Sequence, residues 1–117
     1  MRNFDDEPFG SVVDESSETD LQRALTFFQK EYFSGVPCVA GLEIAPDVPG
    51  PALLTETGAI RVHSAAATWP RTARVLILHE LIHHALQQKD VSDDEDGEPF
   101  QAELERLWKA GAYRKLL

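Results

Sequence analysis

Residues 75–86 read Val-Leu-Ile-Leu-His-Glu-Leu-Ile-His-His-Ala-Leu, an apolar run that has to be buried on nearly every side and yet carries three histidines and a glutamate. Its length and pattern predict a core helix. Polar groups in such a helix are costly unless they share a partner, and charged ones more so. His79 and His83 are four residues apart, so their rings stack on one helix face. Glu80 lies about 100° round the same helix. The spacing supplies the missing partner, because two stacked imidazoles can grip one divalent ion with a carboxylate standing beside it. Neutral imidazoles suit zinc, which in an open site lowers the pKa of a bound water to roughly 7. Glu80 is then placed to take that proton as the water attacks a carbonyl and to return it to the leaving amine. The chemistry implied is peptide-bond hydrolysis on a peptide or protein substrate.

The rest of the composition narrows the setting. A chain of 117 residues with 43% hydrophobic content builds one core. Cys38 is the sole cysteine, so an internal disulfide and a cysteine-held zinc ribbon are both excluded, and histidine and carboxylate must hold any metal. Twenty acidic against eleven basic residues give a net charge of −9, which disfavours direct nucleic-acid binding. Arg71 and Arg74 are the nearest thing to a basic pair and read as a solvated first helical turn. No long apolar stretch or signal-like segment stands out, so no membrane is expected and the expected location is cytoplasmic.

Along the chain, residues 1–19 are acidic and lack periodicity, which predicts a flexible arm, and residues 20–117 form the domain. Leu21, Leu25, Phe28 and Tyr32 recur at helical spacing, giving a first helix to about Phe33 with Thr19 or Asp20 as cap. Val39 to Ala45, Leu53 to Thr55 and Ala59 to His63 are candidate strands, the last two joined by a hairpin at Glu56-Thr57-Gly58. A small antiparallel sheet is expected, with His63 as its one notable polar residue. Pro70 opens the long helix, which runs to about Lys89, and Pro99 opens a last helix whose inner face is Phe100, Leu104 and Leu107. The fold class expected is α+β.

A zinc site of this kind needs a third protein ligand, and no histidine follows His84. His84 itself points about 100° away from His83 and reads as an outer or surface group. Leu86 and Lys89 stand where the extended pattern with a glycine and a third histidine would need those residues. Two carboxylates remain. Asp96 can fold back over the site from the loop before the last helix, with Gly97 lending backbone freedom. Glu103 borders the apolar face of that helix, one turn from Phe100 and Leu107.

Taken together, His79-Glu80-Leu81-Ile82-His83, a short acidic loop, Asp96-Gly97-Glu98-Pro99-Phe100 and Glu103-Leu104 resemble the SprT-like zinc metallopeptidases. The resemblance covers about the last two-thirds of the chain. It implies a minimal zincin-like domain: an N-terminal helix, a small three-stranded sheet, an active-site helix and a C-terminal helix. In that family a His-Gly-x-x-Phe segment supplies the third ligand, and Asp96 occupies the matching position. The separation of His83 from Glu103 is similar to that of the helical glutamate in gluzincins, which makes Glu103 the alternative. The resemblance thus implies zinc held by His79, His83 and Asp96, with Glu80 catalytic. The family's zinc ribbon is missing, and the acidic balance argues against a role on DNA.

Two other readings use the same residues. Residues 92–103 approach a calcium-loop pattern, with Asp94, Asp96, Gly97 and Glu103 in place but Ser92 and Pro99 at unfavourable positions. A zincin-like domain without catalysis, used as a binding or adaptor module, is the other.

Overall fold

The computed structural model describes residues 18–114 and 116. The expected acidic arm falls almost entirely outside them. The chain is α+β. Helix α1 spans Glu18–Tyr32, strands β1, β2 and β3 span Leu42–Ala45, Ala52–Leu54 and Ile60–His63, and helices α2, α3 and α4 span Ser64–Ala67, Pro70–Gln88 and Glu98–Ala110.

Helix α1 buries Leu21, Ala24, Leu25 and Phe28, the one-face spacing that drives an amphipathic helix onto a core. Thr19 and Asp20 lie within its first turn rather than ahead of it. Pro70 opens α3, where its fixed φ and missing N–H cost nothing. That helix is central: it packs against α1, α2, α4, β2 and β3. Ile77, Leu78, Leu81 and Ile82 are fully buried and meet Phe28, Ile60, Val62, Phe100 and Leu107 in one core. Arg74, expected on a solvated turn, is buried, because it precedes Ile77 and Leu78 by three and four residues and so shares their face.

The sheet has the order β1-β3-β2 and is mixed, not antiparallel throughout. The hairpin forms as expected: β2 pairs antiparallel with β3, and Gly58 takes the positive φ (83°) that the connecting turn requires. The departure is β1, which runs parallel to β3 with Leu42 opposite Ile60 and Ala45 opposite His63. The Pro/Gly-rich stretch 46–51 carries the chain past the width of one strand, and β3 returns into the gap between β1 and β2. The outer edge of β1 is engaged by α1, since Gln22 Nε2 donates to the Leu42 carbonyl at 3.1 Å and the Ile44 N–H donates to Glu18 at 3.3 Å. On β2 the bonds His63 N–H to Pro51 O and Thr55 N–H to Ala59 O fix which residues face β3. By alternation, the N–H and C=O groups of Ala52 and Leu54 point away from the sheet.

Among the described residues no helix is long and apolar enough to cross a membrane.

Candidate metal centre

Helix α3 ends in a turn that determines what can reach its histidines. Asp90 adopts a left-handed conformation (φ 57°), the Asp90 N–H donates to Gln87 O and the Val91 N–H to Leu86 O. This reverses the chain just beyond the helix end and sends the acidic segment back over the last three turns of α3. Two of its carboxylates arrive at the histidines. Glu95 Oε2 lies 2.8 Å from His79 Nε2 and 3.0 Å from His83 Nε2, and the two Nε2 atoms are 3.3 Å apart. Asp93 Oδ2 sits behind, 2.8 Å from His83 Nδ1, and also accepts from Gln87 Nε2 at 3.0 Å. Phe100 is fully buried and braces both imidazoles, its ring centroid 5.1 Å from that of His79 and 4.9 Å from that of His83.

The nitrogen pair meets a geometric requirement of a tetrahedral ion, while the Glu95 oxygen sits at hydrogen-bond distance from both rings. Two metal–nitrogen bonds of roughly 2.0–2.1 Å at the tetrahedral angle put the nitrogens about 3.3 Å apart. The observed pair has that separation, and His79, His83 and Glu95 each offer one ligand atom to a common point. In a neutral His83 ring, a proton on Nδ1 shared with the Asp93 carboxylate would leave the Nε2 lone pair facing the same point. Glu80 is 7% exposed and has no hydrogen-bond partner among the described residues. Burial pushes its carboxyl above the usual range, against the pull of His79 and His83.

The other sequence candidates go elsewhere. Asp96 is exposed and outside the ligand group; its backbone N–H donates to Asp94 Oδ1 at 3.0 Å. Glu95, not Asp96, is the side chain that reaches the histidines, because the turn at Asp90 sets the phase of the loop. Gly97 contributes close approach, not unusual backbone: its φ is −81°, and a Cβ there would lie 3.1 Å from the Asp94 carbonyl oxygen. Glu103 is held by Arg106 at 2.9 Å, and that guanidinium lies 5.1 Å from the centroid of Phe33, so the pair ties α4 to the end of α1. From Glu98 onward the calcium-loop segment is helix, so it does not wrap an ion as such a loop would. His84 is 5% exposed, with Nε2 2.8 Å from the Pro37 carbonyl oxygen, and fastens α3 to the loop after α1. His63 caps α2, its Nδ1 accepting from the Ala65 N–H at 3.0 Å. Sequence reasoning missed Glu95 and Asp93. The only signal for them is their place in an acidic run that must double back.

Two predictions follow from this geometry. Glu95→Gln lowers zinc affinity by more than the roughly 10–100-fold that an outer partner is worth, while Asp96→Asn and Glu103→Gln leave it unchanged. Competition with a chelating dye measures all three, and an unchanged Glu95→Gln removes that residue from the site.

The second concerns pH in the metal-free protein. Burial alone lowers the pKa of His83, but its hydrogen bonds with Asp93 and Glu95, aided by the charges of Glu80 and Asp93, leave it above the ordinary 6.5. Hydrogen bonds from Gln87 and then His83 hold Asp93 below 3.8, and those from His79 and then His83 hold Glu95 below 4.5. The stabilisation from His83 is therefore complete below 6.5 and is lost as pH rises through its elevated folded value. That from Asp93 and Glu95 is complete above 3.8 and 4.5 and is lost as pH falls through their depressed values. Glu80, with its raised value, is a burden that grows as pH rises above 4.5. Chelator-treated protein is expected to melt highest between 4.5 and 6.5 and to lose stability through neutrality. A melting temperature that climbs steadily from pH 6 to pH 8 contradicts this.

No family model, curated protein or solved structure matches this chain, so the SprT-like resemblance rests on the residues of α3 and of the Asp96–Phe100 segment that carry it.

Proposed function

We propose that this chain is a zinc metallopeptidase of minimal zincin-like architecture, with His79, His83 and Glu95 as metal ligands and Glu80 as general base. The observation that carries the reading is the gathering of three possible ligand atoms, two of them nitrogens 3.3 Å apart, beside a buried carboxylate that no side chain among the described residues hydrogen-bonds.

Zinc in such a site supplies a water of lowered pKa and a Lewis acid for the substrate carbonyl. The remaining work falls to the chain's own residues. Asp93 holds His83 in the tautomer and orientation that keep Nε2 free. Phe100 fixes both rings against rotation and excludes solvent from one side. Glu80, whose carboxyl burial raises above its ordinary value, accepts a proton at its carboxylate and passes it to the departing amine. The outward N–H and C=O groups of Ala52 and Leu54 on β2, a strand packed on α3, offer an extended peptide an edge to pair with.

The test is to incubate zinc-reconstituted protein with a mixture of unstructured peptides and read new termini by mass spectrometry. Cleavage that a chelator abolishes and added zinc restores is the expected result. Retained zinc without cleavage assigns the chain instead to a catalytically silent binding domain.

A further inference from the structure

Helices α3 and α4 leave a groove of about 610 Å³ between them, within the roughly 300–1,000 Å³ typical of ligand sites. Val75, Leu104, Trp108 and Tyr113 form its apolar walls, and His79 closes the end nearest the metal centre. The groove is continuous with that centre in two ways. The His79 imidazole presents Nε2 to the ligand group while its side chain lines the groove. Gln101, another lining residue, donates through Nε2 to the Glu95 carbonyl oxygen at 2.7 Å, so one wall also anchors the loop that brings the third ligand. Trp108 is 63% exposed here, beside the buried Tyr113 with ring centroids 6.4 Å apart. An indole left this open on a groove wall gains most from an apolar group laid against it.

We propose that this groove receives a bulky apolar side chain, aromatic or large aliphatic, of the substrate residue that flanks the bond to be cleaved; the inference rests on the peptidase reading and names its substrate class. An occupant lies against the side chain of His79, whose Nε2 faces the ligand group. The lining strongly favours apolar contact, and Glu105 at the groove together with the net charge of −9 opposes acidic side chains. A concave site bounded by a metal ligand fits a peptide side chain better than the flat face of a second copy, which would cover the centre.

The experiment uses acetyl-Ala-Ala-X-Ala-Ala-amide peptides with X as Phe, Leu, Gly or Asp, titrated by calorimetry into zinc-loaded and chelator-treated protein, with products followed by mass spectrometry. The Phe and Leu peptides are expected to bind at least tenfold tighter than the Gly and Asp peptides, and cleavage falls next to X. Trp108→Ser, at an exposed position that the fold does not need, removes the preference while zinc content and melting temperature stay unchanged. Leu104→Ala, one turn earlier on the same face of α4, weakens the preference as well, with a lower melting temperature because Leu104 also packs against the core. Binding or cleavage without preference for X, or a preference that survives Trp108→Ser, overturns the groove assignment and leaves the peptidase reading standing. Selective, Trp108-dependent binding without any cleavage supports the groove and removes the peptidase reading. Association of the protein with itself through Trp108, seen as concentration-dependent sedimentation, overturns it in favour of a second copy.

Discussion

Glu80→Gln is expected to keep its zinc and lose roughly 10²–10⁴-fold in peptide cleavage, the range associated with a positioned general base. The substitution preserves shape and volume, so the helix and the His79–His83 pair should be undisturbed. What it removes is the capacity to accept a proton. Burial disfavours the Glu80 charge, so the neutral amide should also leave the metal-free protein no less stable at neutral pH. A purely structural carboxylate predicts the reverse, with stability falling and any cleavage persisting. Zinc stoichiometry, melting temperature and initial rates on one peptide separate the two. A Glu80→Gln protein that cleaves at the wild-type rate excludes Glu80 from the mechanism.

His83→Ala is the second large effect, and its neighbour is the control. Loss of the His83 ring removes one proposed ligand, opens a space against Phe100 and takes from Asp93 and Glu95 one of the two side chains that hold each of them. Zinc affinity should fall by more than the roughly 10–100-fold that an outer partner is worth, with activity following it. His84→Ala changes an adjacent and chemically identical residue with an opposite result. It costs about 1 kcal/mol or more through the lost bond to Pro37, yet leaves zinc binding intact. Equilibrium dialysis and thermal melts on the two variants read metal and fold independently. Equal zinc affinity in His83→Ala and wild type would mean that the metal is held elsewhere.

How much of this was legible from residues alone depends on whether the information is local. Helix α3 announces itself through the apolar run and Pro70, and α1 and α4 through one-face periodicity and, for α4, Pro99 near its start. The four-residue spacing of His79 and His83 requires only helix geometry to bring them together. The direction of β1 was not legible, because strand order depends on where a later strand inserts, and nothing in Leu42–Ala45 encodes that. Nor was the choice of Glu95 over Asp96. Neighbouring acids in a loop point in different directions, and the phase is set by a left-handed residue, Asp90, that carries no glycine to advertise it. Family resemblance pointed at Asp96 for the same reason: it reads alignment position, whereas the side chain that arrives is decided by the turn. Glu103 looked available until Arg106, three residues on, was seen to hold it.

The central claim is that two imidazoles and one carboxylate grip a zinc ion. Zinc K-edge absorption on protein loaded with one equivalent tests it most directly. The account predicts a four-coordinate shell with two imidazole nitrogens at roughly 2.0–2.1 Å and oxygen ligands at roughly 2.0–2.2 Å, the imidazole signal disappearing in a protein lacking both His79 and His83. An oxygen-only shell, or zinc that washes out of the wild-type protein at neutral pH, would contradict it.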